Sequence, residues 1–293
     1  MNKYTLLILL GIASISLESC RPVEKPSDRI VISVSILPQK YFVERIAGSQ
    51  VEVNVLIPPG ASPATYEPSL AQLSMLDQSK LYMKIGYLGF ELSWMDKIAS
   101  VNPDMKIVDL SRGIDLIHEK EEKEEEHHGH THTGPDPHIW MSLPNAKLIA
   151  ATIYNELLLL LPGEEETLEQ SFRAFNHELD SLHQSFSLRL KEVENRSFLI
   201  YHPALGYFAR DYMLQQYPIE IEGKTPSPAH LKMLTDLSKQ KTIKTIFIQS
   251  QFDKRNAEIL AAEIDAEIIQ FNPLDEDWTR QMLYIVDQFS HAL

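Results

Sequence analysis

Six of the eleven histidines, His118, His127, His128, His130, His132 and His138, fall within 21 residues, and six glutamates stand among them between Glu119 and Glu126. Neutral imidazole is a preferred ligand of Zn²⁺ and its neighbours in the transition series, and carboxylates draw the cation in. The chemistry suggested is metal chelation. A solvated charged loop with incidental histidines is the plainer alternative, and the interleaving of His with Gly and Thr after an acidic run weighs against it. A segment with so little to bury cannot pack, so residues 118–135 are expected to form a disordered surface loop. Ordering such a loop costs roughly 1–2 kcal/mol per residue, which makes it a poor selective site on its own.

A defined site therefore calls for histidines fixed by the scaffold. His138 stands in Pro135-Asp136-Pro137-His138-Ile139-Trp140, where the prolines restrict the backbone. His202, in Ile200-Tyr201-His202-Pro203, follows a predicted strand. Parallel α/β sheets present ligand-binding groups at that end of their strands. Either histidine alone reads as structural; as a pair from two lobes they read as ligands. His177, His183, His230 and His291 lie on predicted helices without partners at ligand spacing. No His-Glu-x-x-His pattern is present, so a metalloenzyme is the weaker reading and no enzyme is expected.

The elements that would position the pair can be read from periodicity. Ile30 to Ile36, Val51 to Ile57, Leu81 to Ile85 and Lys106 to Asp109 read as strands, with helices at Gln39 to Ala47, Ser69 to Asp77 and Glu91 to Ala99 between them. After the acidic segment, Asn145 to Leu161 reads as a buried helix ending in five leucines. A longer helix follows from about Glu164 to Glu194, with an apolar stripe through Leu168, Phe172, Phe175, Leu179, Leu182 and Phe186. Strands at Phe198 to Tyr201, Ile219 to Ile221, Thr245 to Ile248 and Glu267 to Phe271 then alternate with helices at Pro228 to Lys239, Ala257 to Ile264 and Trp278 to Phe289. The βα alternation predicts an α/β protein of two lobes. Each lobe should have a parallel-rich sheet flanked by helices, with one long helix joining the lobes. The boundaries expected are an N-terminal lobe over 29–163, a linking helix over 164–194 and a C-terminal lobe over 195–293.

The first 19 residues read as an export signal: Lys3, then an apolar run to Leu17 that is shorter than the roughly 20 residues of a membrane span. Cys20, the lone cysteine, follows Leu17-Glu18-Ser19 in the manner of a bacterial lipoprotein box, so a lipid anchor on Cys20 and a tether over 20–28 are expected. The location would be extracytoplasmic, periplasmic or at the cell surface. Acids outnumber bases 41 to 27, for a net charge of −14, which excludes the phosphate-neutralising surface of a nucleic-acid partner.

The order of Ser33 to Gly48, Tyr66-Glu67-Pro68, Gly86 to Trp94, Asp136 to Pro144, His202 to Tyr207, Pro226 to Leu234 and Phe247 to Trp278 resembles the zinc-binding proteins of bacterial ABC importers. These are the high-affinity zinc uptake type within the metal-receptor family that shares a rigid linking helix. The resemblance implies a monomeric receptor that captures Zn²⁺ in a metal cleft between the lobes and delivers it to a membrane permease. It also implies three histidine ligands plus an acid or water. His138 and His202 match two of those positions, and the His-rich acidic loop is likewise a feature of zinc-type members. Two positions depart. Ala64 stands where the family places its first histidine, in Pro63-Ala64-Thr65-Tyr66-Glu67-Pro68, and Asn272 stands where an Asp-Pro-Leu turn supplies an acid. Glu67, Asn272 and the loop histidines are the candidates to complete the shell. A zinc-buffering or adhesin-like surface lipoprotein with a degraded transport site is the alternative that these departures raise.

Overall fold

The computed structural model describes residues 29–118, 134–221 and 223–292. The expected signal segment and tether, Cys20, and His127, His128, His130 and His132 lie outside the described residues.

The first lobe is built from β1 (Ile30–Val34), α1 (Leu37–Ala47), β2 (Val51–Val55), α2 (Leu70–Asp77), β3 (Leu81–Lys84), α3 (Gly89–Val101) and β4 (Lys106–Asp109). Its strands pair in parallel in the order β2-β1-β3-β4. The second lobe repeats that plan with β5 (Ser197–Ile200), β6 (Gln215–Pro218), β7 (Thr245–Gln249) and β8 (Glu267–Phe271), in the parallel order β6-β5-β7-β8. In this order the chain winds first one way and then the other, which leaves a crevice beyond the carboxyl ends of β1 and β3 and another beyond β5 and β7.

Helices begin and end where the sequence supplies caps. Ser69 accepts from the backbone of Gln72 at the start of α2, and the Gln72 side chain reaches back to Ser69. Gly48, at φ +57°, turns the chain out of α1. Between the lobes run α4 (Leu143–Leu160) and α5 (Glu165–Lys191). At 27 residues α5 is about 40 Å long. It buries Leu168, Phe175, Leu179, Phe186 and Leu190, one stripe at helical spacing, while Phe172 stacks on Tyr154 of α4.

The lobes are not separate cores joined by a stalk. One apolar cluster runs from Ile32 and Phe42 in the first lobe through Phe175 and Phe186 of α5 to Phe198, Phe247 and Phe271 in the second. It continues into α9 (Trp278–Ala292) at Trp278 and Phe289. Because successive strand residues face opposite ways, Leu199, Ile246 and Ile248 feed a second core on the far face of the second sheet, beneath α7 (Pro228–Lys241) and α8 (Arg255–Ile264). Both faces of that sheet are covered, hence the nearly continuous apolar strands.

Two local expectations change. The strand predicted at Ile219 to Ile221 lies earlier, at Gln215–Pro218. Ladder bonds still continue past it, from Ile219 N to the Ile200 carbonyl and from Glu220 N to the Tyr201 carbonyl. As an edge strand it tolerates Pro218 and needs no β-branched run, so periodicity misses it. A short helix, α6 (Gly206–Asp211), also forms after His202. Six residues are too few for a periodic signal.

Candidate metal centre

His138 and His202 meet. Their Nε2 atoms are 3.3 Å apart and their ring centroids 5.1 Å apart, with the rings nearly edge to face. Two nitrogens bound to one tetrahedral Zn²⁺ at about 2.0–2.1 Å are themselves separated by about 3.3–3.4 Å. The pair therefore has the spacing of one edge of a zinc tetrahedron.

His202 is delivered by the second sheet. It follows β5 by two residues, at the crevice between β5 and β7. Gln249, the last residue of β7, clamps its backbone, with Gln249 Nε2 donating to the His202 carbonyl at 2.7 Å and His202 N donating to Gln249 Oε1 at 3.3 Å. Phe252 stacks on the His202 ring at 5.6 Å, and His202 Nδ1 is hydrogen-bonded to Glu220 Oε1.

His138 arrives from the segment between the lobes. Asp136 Oδ1 accepts from His138 N at 2.9 Å and lies 2.7 Å from Nδ1 of the same residue. The segment is held on both sides. Asp136 N donates to the Ile117 carbonyl at 2.8 Å, and Tyr207 OH of α6 donates to the Asp136 carbonyl at 2.8 Å. Trp140 Nε1 donates to the Pro273 carbonyl at 2.8 Å, and Trp278 Nε1 donates to the Trp140 carbonyl at 2.9 Å. The two indoles thus fasten the segment that carries His138 to the turn that carries Asn272. The His138 side chain keeps 12% of its surface and that of His202 keeps 34%, so the pair opens to solvent on the His202 side.

The other expected residues are placed differently. Among the described residues no third His, Cys, Asp or Glu joins the pair in a metal-sized group. Ala64 and Glu67 are exposed on the loop before α2. Asn272 Oδ1 already accepts from Leu274 N at 3.1 Å and from Gln251 Nε2 at 3.1 Å, which makes it the acceptor of its own turn. His118 is exposed and pairs in a single β-bridge with Pro135, one residue before Asp136, so the two flanks of the acidic segment meet next to the stretch that carries His138.

Asp136 and Glu220 were not singled out by sequence reading. Asp136 carries a local signal, an Asp two residues before the histidine whose N–H it accepts. Glu220 carries none, because only the pairing of β6 with β5 brings it beside His202.

The crevice of the first lobe is filled by protein. Buried Glu91 accepts from Ile85 N at 2.8 Å, Gly86 N at 2.6 Å and Ser35 Oγ, and burial pushes its carboxyl above the usual range.

Among the described residues no helix is long and apolar enough to cross a membrane. A zinc-binding lipoprotein AdcA of Streptococcus pneumoniae is 27% identical over 285 residues, covering 94% of this chain but 56% of that relative, so the chain spans about half its length. A crystal structure of ZnuA superposes with a TM-score of 0.83 at 37% identity, covering 90% of this chain and 99% of that one. A zinc-bound ZnuA deletion mutant gives 0.81 at 38%, covering 90% and 98%. The two parallel sheets flanked by helices are the architecture these structures share with it. With residues 32–292 matching the description zinc-uptake complex component A, periplasmic, this chain belongs to the ZnuA family of metal-binding receptors.

Proposed function

We propose that this chain captures Zn²⁺ outside the cytoplasm, between Nε2 of His138 and Nε2 of His202, and delivers it to the permease of an ABC importer. The observation that carries this reading is the 3.3 Å separation of two imidazole nitrogens from different lobes. Nitrogen donors suit Zn²⁺ better than Mn²⁺, which prefers oxygen. The function is capture and release, with no bond of a substrate made or broken.

The rest of the coordination shell is assigned to the histidine-rich segment. Asn272 has its oxygen committed to Leu274 and Gln251, and Glu67 stands exposed, outside any metal-sized group among the described residues. The segment holding His127, His128, His130 and His132 is flanked by His118 and Pro135, which pair with one another just before Asp136 in the chain, and a loop histidine keeps the donor set nitrogenous. Cys20 is read as the site of a lipid anchor, and the receptor as a monomer.

The test is competition for zinc against a chromogenic chelator. His138→Ala and His202→Ala should each weaken binding by more than the 10–100-fold typical of losing a residue that only supports a ligand. Wild-type affinity in both variants would overturn the assignment. Removing residues 119–133 should weaken binding measurably, and an unchanged affinity would remove the loop from the shell. A zinc-buffering role without transport is favoured by Ala64 and by the committed Asn272. Growth of a deletion strain under zinc chelation separates the two, since only loss of import slows it.

A further inference from the structure

We infer that Asp136 and Glu220 are positioning residues of the zinc site, fixing both histidines as the Nδ1–H tautomer and supplying the negative charge that the cargo cation balances. This rests on the reading of His138 and His202 as ligands.

An ionised carboxylate can only accept hydrogen bonds. Each histidine directs Nδ1 at such an oxygen, His138 at Asp136 Oδ1 at 2.7 Å and His202 at Glu220 Oε1. In the neutral rings the protons then sit on Nδ1, which leaves the two Nε2 atoms as the donors for a metal. The two Nε2 atoms stand 3.3 Å apart, the separation that two nitrogens bound to one Zn²⁺ would have. The two carboxylates are well shielded, with 11% of the Asp136 side chain and 5% of the Glu220 side chain exposed. Their attraction for a cation is therefore less screened than that of a surface pair.

The two carboxylates come from different places and reach the same solution. Asp136 is held by its own turn, with its N–H on the Ile117 carbonyl and its carbonyl taken by Tyr207 OH. Glu220 is held by the continuation of the ladder between β6 and β5. Two negative charges one imidazole away from the ion match the charge of Zn²⁺.

The experiment uses the full chain labelled with ¹⁵N-histidine, without metal. Long-range ¹H–¹⁵N spectra should show Nδ1–H at His138 and His202 in the wild type. In Asp136→Ala and Glu220→Ala the facing histidine should shift toward the Nε2–H tautomer, and zinc affinity should fall about 10–100-fold. Asp136→Asn and Glu220→Gln, which keep an oxygen acceptor but not the charge, should keep the tautomer and recover part of the affinity. Unchanged tautomers in both alanine variants, with zinc affinity within about twofold of wild type, would overturn the inference. If instead His138→Ala and His202→Ala bind zinc normally, the ligand reading falls. The metal-free spectra still decide whether the carboxylates set the rings.

Discussion

Nε2 of His138 and Nε2 of His202 stand 3.3 Å apart although 64 residues separate them along the chain and each belongs to a different part of the fold. Because this spacing already equals the edge of a zinc tetrahedron, metal binding should move the pair little. X-ray absorption at the zinc edge should find at least two imidazole nitrogens at about 2.0–2.1 Å. A crystal with zinc should leave the Nε2 separation within a few tenths of an ångström. A separation that changes by more than 1 Å would mean that the metal assembles a different site.

Gly206, the first residue of α6, makes room for the carboxylate that holds His138. A Cβ there would lie 2.5 Å from Asp136 Oδ2 and 3.2 Å from Gln216 Nε2. Gly206→Ala should therefore displace Asp136 while leaving both histidines in the sequence. The expected result is zinc affinity reduced to the level of Asp136→Ala, with overpacking costing about 1–3 kcal/mol in urea denaturation. Wild-type affinity would show that the turn can yield without releasing His138.

Trp140 and Trp278 are both buried, and each donates its indole N–H to a carbonyl across the junction of the lobes. Trp140→Phe leaves the Pro273 carbonyl without its partner, at an expected cost of about 1–3 kcal/mol. The urea midpoint should fall with an unchanged slope. The ring also lies 5.3 Å from His138, so zinc should alter tryptophan fluorescence in the wild type and much less in Trp140→Phe. Equal responses in the two proteins would place the reporter elsewhere.

Arg45 of α1 grips Glu178 of α5, and Thr279 of α9 donates to the same carboxylate at 3.3 Å. The Arg45 hydrogen bonds hold the Glu178 carboxyl below the usual range. A lowered carboxyl stabilises the fold above its unfolded value of about 4.3, and that contribution is lost as pH falls through the lower folded value. Glu178→Gln should therefore flatten the loss of melting temperature on acidification below about pH 4.3. Because the pair is partly open to solvent, its contribution at pH 7 should be at most about 1 kcal/mol. Parallel acid profiles for the two proteins would remove Glu178 from the acid sensitivity.

The two lobes and the long helix were legible because both are written in local periodicity. Branched apolar runs such as Thr245 to Ile248 and the stripe from Leu168 to Phe186 report burial directly. His138 and His202 were legible through their neighbours, prolines on one side and a strand end on the other. What local pattern cannot carry is the assembly across the chain. Glu220 reaches His202 only through the β5–β6 register, and Trp140 reaches Pro273 only once the lobes close. The engagement of Asn272 by Gln251 depends on the neighbouring turn after β7, which no local pattern around Asn272 reports.

Zinc can bind His138 and His202 only at nitrogens that carry no proton, so protons and metal compete for the same two atoms. With Nδ1 of each ring already committed to a carboxylate, the competing proton adds at Nε2, the face turned toward the partner ring. Two donors are involved, and each must be cleared. Zinc affinity should therefore fall between pH 7.5 and pH 5.5. Calorimetry in buffers of different ionisation enthalpy should detect proton release on binding at the lower pH and little at the higher. A flat affinity across that range would mean that the metal is held by oxygen donors and that the histidine pair does not bind it.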